Sequence, residues 1–267
     1  MNYIQVQDKR VSRMVAKHQE WYRANSGVWG ERYMKEKEGI LTRKRNKKEV
    51  RIILKHLPLN CKKILDAPCG YGRITNNLAS RGFNLTGIDI SSYFINLAKK
   101  EAGQKKIMVS YTVGDILKKK IPGKFDAVLN IFTSIGYFEN DKKNELLIGK
   151  LCQYVKPGGR LIIETINPIA LALNYKNQET VLLKDGTRLH FKHFLDFRTS
   201  TSVTKIKEIK RKNKPKNLVH IIRLYYPHEV INICTKFHCK LVTLLDQKGK
   251  TENIKNSLRI WLIFEKK

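Results

Sequence analysis

The 267-residue chain is predicted to be an α/β protein, a parallel sheet with helices on both faces that carries a small inserted antiparallel β-sheet. Three observations predict it. Between residues 62 and 167, short apolar runs alternate with amphipathic helical stretches. From about 179 to 226, β-like runs follow one another with no long helix between them. A glycine turn, Gly70-Tyr71-Gly72, stands between the first apolar run and the first of these helices, where an open sheet binds its ligand.

Residues 1–60 read as a helical cap. Val11, Met14, Val15, His18 and Tyr22 share one helical face, and Ser26-Gly27 and Gly30 interrupt the pattern. A second helix presents Val50, Ile53, Leu54 and Leu57 as one stripe ahead of Pro58. Its other face is basic, with Arg43, Lys44, Arg45, Lys47, Lys48, Arg51 and Lys55. The alternation then begins: a strand over Lys63–Asp66, and a helix on Ile74 and Leu78 stopped by Gly82. A strand over Asn84–Ile88 leads to a helix capped by Ser91, with Phe94, Leu97 and Ala98 inward, that ends near Gly103. Strands follow over Ile107–Val113 and Phe125–Asn130, then a helix over Glu145–Tyr154. A turn at Lys156-Pro157-Gly158-Gly159 precedes a strand over Arg160–Glu164.

The second unit, residues 168–226, reads as an inserted antiparallel sheet. Its strands run over Arg188–Asp196, Val203–Ile209 and Leu218–Tyr225, with Asp185-Gly186 as a hairpin turn. It carries a basic tract of Lys205, Lys207, Lys210, Arg211, Lys212, Lys214 and Lys216. The chain then returns to α/β style, with a helix over Pro227–Phe237 and strands over Lys240–Leu245 and Leu258–Phe264. Residues 61–167 and 227–267 therefore form the ligand-binding domain that the insertion interrupts.

Composition excludes some classes. At 42% hydrophobic and 9% aromatic residues the chain is globular rather than disordered. No run approaches the roughly 20 apolar residues of a membrane span, and Met1–Arg13 lacks the core of a signal peptide, so a cytoplasmic protein is expected. The five cysteines, Cys61, Cys69, Cys152, Cys234 and Cys239, are odd in number and form no C-x-x-C pair. Reduced thiols are expected, with neither a disulfide framework nor a metal site. A net charge of +30 attracts polyanions such as nucleic acid or an anionic membrane, and equally fits a lysine-rich proteome.

The glycine turn lies among three carboxylates. Asp66 ends the first strand, Asp89 ends the second, and Asp115 follows the third. Asp89 can accept two hydrogen bonds from a ribose diol, and Asp115 can face an adenine amino group. A dinucleotide fingerprint requires a glycine where this sequence has Thr75, so the turn suits a ligand without a pyrophosphate. A carboxylate at its head suits a cationic amino acid moiety.

Ile64–Thr75 resembles the first motif of the class I S-adenosylmethionine-dependent methyltransferases. Leu85–Ser91, Val113-Gly114-Asp115, Phe125–Asn130 and Val155–Leu161 resemble the motifs that follow, in order. Phe132–Phe138 resembles the Phe-Thr-Ser-x-Gly-Tyr-Phe stretch of a subgroup that acts on small molecules and covers its site with an inserted sheet. The resemblance implies a Rossmann-like seven-stranded sheet whose last strand runs antiparallel. It implies S-adenosyl-L-methionine as cofactor and S-adenosyl-L-homocysteine as product. Asp66, Ala67, Pro68, Gly70, Gly72 and Arg73 would hold the methionine part, Asp89 and Ile90 the ribose, and Gly114, Asp115 and Ile116 the adenine. Asn130 and Phe132 would floor the site near the sulfonium, and Arg43 would close over the cofactor.

The acceptor is less constrained. Asn130-Ile131-Phe132-Thr133 lacks the two prolines of enzymes that methylate adenine or glutamine amide nitrogens. Neither Cys69 nor Cys152 is placed for a covalent base adduct. Tyr137 could hydrogen-bond the acceptor, and His190 or His193 could act as a general base, with odd spacing that allows at most one to face a pocket. Tyr226 and His228 are further candidates. A small-molecule acceptor is the first expectation. An RNA methyltransferase using the basic tracts, or a non-catalytic nucleic-acid-binding module, are the alternatives, though the tract from 205 to 216 carries no aromatic residue for base stacking.

Overall fold

The computed structural model describes residues 22–23, 29–138, 140–210 and 214–267. The expected first helix, including Val11, Met14, Val15 and His18, lies outside these residues, as do the Ser26-Gly27 break and Arg211 and Lys212 of the basic tract.

Two sheets form the molecule. The larger has seven strands: β1 (Lys63–Asp66), β2 (Asn84–Asp89), β3 (Ser110–Val113), β4 (Phe125–Asn130), β5 (Val155–Ile166), β10 (Cys239–Asp246) and β11 (Arg259–Lys266). Their spatial order is β10-β11-β5-β4-β1-β2-β3. β11 runs antiparallel to both neighbours, β5 and β10, while β1 to β5 pair in parallel.

Helices cover both faces because alternate residues of each strand point to opposite sides. On one side α1 (Glu31–Lys37) precedes α2 (Arg43–His56), and α2 and α3 (Thr75–Ala79) bury Val50, Ile53, Ile74 and Leu78 against Ile64, Ile162 and Ile263. On the other side, α5 (Asp141–Tyr154) and α7 (Pro227–Lys236) bury Leu147, Ile148, Val230 and Cys234 against Leu65, Ile163 and Leu262. Between β2 and β3 runs α4 (Ser92–Gln104), started by Ser91, whose hydroxyl accepts the Phe94 amide hydrogen bond at 3.3 Å.

Three local expectations change. The third strand is shorter than Ile107–Val113: it pairs only with β2, and Met108 is 94% exposed. The turn at residues 156–159 lies inside β5, whose pairing with β4 jumps from Val155↔Phe125 to Arg160↔Ala127. A helix without a sequence expectation, α6 (Pro168–Leu173), follows β5, with the Asn167 carboxamide oxygen accepting from Ile169 N at 3.1 Å and proline in its first turn.

The smaller sheet is an antiparallel meander, β6 (Gln178–Leu182), β7 (Arg188–Asp196), β8 (Thr201–Ile209) and β9 (Lys216–Arg223). Its inner face buries Leu189, Phe191 and Ile206. His220 of the same face stacks on Trp29, ring centroids 6.4 Å apart. The Lys35–Asp185 ion pair at 2.8 Å and the Lys184–Glu38 pair at 2.7 Å tie the α1 region to the β6–β7 turn.

Candidate active site

The carboxyl ends of β1, β2 and β4 open into a cavity of about 150 Å³, partly open to solvent. Asp66, Pro68, Gly70, Arg73, Asp89, Ile90, Gly114, Asp115, Ile116, Phe132 and Tyr137 line it, so most of the predicted site converges there.

The glycine turn is built by close approach. Gly70 (φ 55°) donates its amide hydrogen to Asp89 Oδ2 at 2.9 Å, linking the ends of β1 and β2. At Gly72 (φ 79°) a Cβ would stand 2.6 Å from the Tyr111 hydroxyl and 2.8 Å from Ala98 Cβ, so only glycine fits. Ala67, Gly72 and Asn130 support the turn rather than line the cavity. Asn130, fully buried, donates from Nδ2 to the Ala67 carbonyl at 2.7 Å. Its Oδ1 is a buried acceptor without a hydrogen-bond partner among the described residues.

Burial sets the electrostatics. It pushes the Asp66 carboxyl up to about 7, against the pull of the Thr75 hydroxyl, which donates at 2.6 Å, and of nearby Arg73. Burial likewise pushes Asp89 up to about 6, although the backbone amides of Ser91, Gly70 and Ile90 favour its anion. For both acids these donors and charges fall short of offsetting burial, and an ammonium group and a ribose diol would supply more.

Arg43 does not reach the cavity. It sits exposed in the first turn of α2, and the cations near the site are Arg45, one helical face away, and Arg73. Both pair with buried Glu49, Arg45 at 2.6 Å. Against the cost of burial, the charges of Arg73 and Arg45 hold Glu49 below the usual carboxylate range. The guanidinium carbons of Arg45, Arg73 and Arg259 stand 5.1, 5.5 and 4.6 Å from the centre of the Phe132 ring. Phe132 and Thr133 both have positive φ, 69° and 57°. Glu164 accepts from Phe132 N at 2.7 Å and pairs with Arg259, which also donates to Thr133 Oγ1 at 2.7 Å. A buried ion pair thus anchors the strand-four loop.

The acceptor side departs most from expectation. Tyr137 does line the cavity, stacked on Trp29 with centroids 6.0 Å apart. Burial drives its phenol well above the ordinary tyrosine range, which keeps the hydroxyl protonated and able to donate. The histidines stay away. His190 is exposed on the outer face of the inserted sheet, 2.9 Å from the Thr180 hydroxyl. His193 is on the inner face, stacked on Phe191 and 2.9 Å from Thr204 Oγ1, and does not line the cavity. Burial lowers its basicity, although Glu179 opposes that. Tyr226 opens α7, its amide donating to the Glu229 carboxylate, and His228 is exposed on the same helix; neither lines the cavity. Their chain positions pointed to the insertion but could not say which face of a strand or helix meets the cavity.

The residues that take their place are aromatic. Tyr22, Trp29, Tyr33, Tyr71, Phe94 and Phe138 line the cavity beside Phe132 and Tyr137. They are scattered through the chain, and only the aromatic content of residues 22–33, beside the Gly30 break, could have signalled them. Among the described residues, no group of three or more His, Cys, Asp or Glu could hold a metal ion.

Comparison with known proteins agrees with this geometry. Residues 64–159 match the family model described as a methyltransferase domain. A ubiquinone biosynthesis O-methyltransferase of Dechloromonas aromatica (strain RCB) is 36% identical over 109 residues, which cover 40% of this chain and 45% of that protein. The chain thus spans about half the length of the curated relatives it matches. A structure of an S-adenosylmethionine-dependent methyltransferase from Clostridium acetobutylicum ATCC 824 superposes with a TM-score of 0.74 at 17% identity, covering 88% of this chain and 96% of that one. The cofactor-bound amino pentose methyltransferase CalS10 of Micromonospora echinaspora gives 0.63 at 14% identity, covering 88% and 94%. Residues 64–159 therefore form a methyltransferase domain, and the fold that contains them is that of the class I S-adenosylmethionine-dependent methyltransferases.

Proposed function

We propose that the chain transfers a methyl group from S-adenosylmethionine to a small-molecule acceptor bound in this cavity. The observation that carries the proposal is the cavity's lining: Asp66, Asp89 and Asp115 at the sheet's carboxyl edge, together with the rings of Tyr22, Trp29, Tyr33, Tyr71, Phe94, Phe132, Tyr137 and Phe138. When bound, the cofactor supplies an electrophilic methyl group whose leaving thioether is neutral, so alignment and exclusion of water do much of the work.

The chain's own residues bind and orient. Asp66 would balance the amino group of the methionine moiety, and Arg73, which lines the cavity, would pair with its carboxylate. Asp89 and Ile90 hold the ribose, and Gly114, Asp115 and Ile116 the adenine. Ala67, Pro68, Gly70, Gly72 and Asn130 shape the turn, and Phe132 forms the floor. Tyr137 donates a hydrogen bond to the acceptor. No histidine lines the cavity among the described residues, and Tyr137 is held as a phenol. The acceptor that fits therefore brings its own nucleophile: a neutral amine, or a hydroxyl acidic enough to ionise. Residues 61–167 and 227–267 serve as the catalytic domain, 168–226 as its cover and 1–60 as a cap, in a cytoplasmic protein.

The basic positions of the inserted sheet favour a metabolite over RNA, because Lys205 and Lys207 are exposed and do not line the cavity. The test uses cofactor with a labelled methyl group, offered with a small-metabolite extract and, separately, with total RNA. Label entering the metabolite fraction is expected. Label entering only RNA, or calorimetry without saturable cofactor binding, overturns the proposal.

A further inference from the structure

A second cavity, of about 420 Å³ and partly open to solvent, adjoins the first. Its lining comes from two parts of the chain. The strand-four loop and the start of α5 supply Phe138, Asn140 and Asp141, and the β7–β8 turn from Arg198 to Thr201 joins Ile221 and Arg223 of β9. Phe138 lines both cavities, so the second begins one residue past Tyr137. The turn is held in place. Ser200 has a φ of 48°, its carbonyl accepts from Leu224 N at 2.7 Å, and the Thr199 hydroxyl donates to that of Thr201 at 3.0 Å.

The chemistry of this lining selects among ligands. Both cations in it are already matched by acids: Arg223 by Asp141 at 3.3 Å and by Glu229, and Arg198 by Asp196 at 3.3 Å. An anionic group would therefore compete with carboxylates for every cation of the described lining. An apolar group would meet only Phe138 and Ile221. What remains open is hydrogen bonding. Asn140 accepts from Lys143 N at 2.9 Å through Oδ1, and its Nδ2 bonds no described residue. Asp141 accepts from the Tyr225 hydroxyl at 2.8 Å through Oδ1, and its Oδ2 is likewise uncommitted, as is the Ser200 hydroxyl. The set comprises a donor, an acceptor and a group that is both. Neighbouring hydroxyl groups, each able to donate and accept, answer such a set.

We propose that the methyl acceptor spans both cavities, with its nucleophile beside Tyr137 and an uncharged polyhydroxylated tail, a polyol or sugar, in the second. This assignment rests on methyl transfer in the first cavity and adds the class of acceptor. Two matched pairs of probes test it with the full chain and cofactor labelled in its methyl group: glucamine against hexylamine, and the phenol glucoside arbutin against para-methoxyphenol. Transfer is measured at about pH 9, where an alkylamine is partly neutral. In at least one pair the polyhydroxylated probe should have a kcat/KM about tenfold above its partner's, the worth of one or two neutral hydrogen bonds. Asn140→Asp/Ser200→Gly keeps an acceptor at the helix cap and a residue suited to the turn, and removes two donors. It should abolish most of that preference by raising the KM of the polyhydroxylated probe, with circular dichroism and cofactor affinity kept. Asp141→Asn, which keeps an oxygen for the Tyr225 hydroxyl, should weaken the preference less. The proposal is overturned by equal or better transfer to hexylamine and para-methoxyphenol, or by a preference that the double variant leaves intact. Transfer to none of the four probes by a protein that binds the cofactor also overturns it. Failure to bind the cofactor overturns the methyltransferase reading itself, and this assignment with it.

Discussion

Asp66 and Asp89 are acids whose burial leaves them proton-hungry in the free protein. A carboxyl whose pKa is raised on folding stabilises the fold while protonated, and that contribution is lost as pH rises from the unfolded value near 4 through the folded value. For Asp66 the window ends at about 7, and for Asp89 at about 6. A cationic ligand reverses the preference, because it favours the anions. Cofactor affinity should therefore rise with pH up to about 7 and then level off. Calorimetry in buffers of differing ionisation enthalpy should detect proton release on binding at about pH 6, and almost none above about pH 8. Asp66→Asn should remove most of that release. Asp89→Ala should weaken cofactor binding by about ten- to a hundredfold, the worth of hydrogen bonds to a charged acceptor. These acids were legible in the sequence because strand ends and glycine turns are local patterns. The histidines were not, because a strand's two faces look alike until the register of its neighbours is known. His220, which the sequence did not single out, sits beneath Trp29, and burial pulls it down to about 3, leaving it a neutral packing partner at physiological pH.

At the scale of elements, the strand-four loop joins the cofactor turn to the inserted sheet. Its Gly136 (φ 89°) accepts from Arg223 N at 2.8 Å, at the end of β9. A Cβ on Gly136 would stand 2.1 Å from the Arg223 carbonyl oxygen. Gly136→Ala should cost about 2–4 kcal/mol of stability, read by urea denaturation, because both the backbone angle and the contact forbid it. It should also raise the KM for the acceptor more than that for the cofactor, since the cavity's carboxylate side is untouched. Beneath the same loop, at the start of β11, Arg259→Ala would leave the Glu164 carboxylate buried with only the more distant Arg45 for charge, 3.7 Å away. About 3–5 kcal/mol is the expected loss, and Glu164→Gln/Arg259→Met should recover part of it. The apolar periodicity foretold most strands and helices of the larger sheet. It could not foretell α6, which is too short for a helical period, or the retreat of β3 from residues 107–109, where an edge strand lacks a second partner.

The molecule as a whole carries a charge of +30, and its helices and sheets hold that charge against its own repulsion. Screening should relieve the repulsion. The thermal midpoint should rise between about 20 mM and 0.5 M NaCl, as the Debye length falls from about 20 to about 4 Å. A midpoint that falls with salt would mean that ion pairs such as Arg259–Glu164 outweigh the repulsion. Charge was the most visible property of the sequence, yet it said nothing of where the cations sit; only strand pairing put Lys192 opposite Lys205.

The strand order also bears on how a ribosome delivers this protein. β5 is made before the inserted sheet, but its partner β11 is made after it. The meander β6-β7-β8-β9 pairs neighbours in sequence and can close as soon as it emerges. Throughout that interval β5 presents an unpaired apolar edge, Leu161, Ile162 and Ile163, of the kind that recruits foreign strands. Synthesis that stalls between the insertion and β11 should therefore yield nascent chains that call on chaperones.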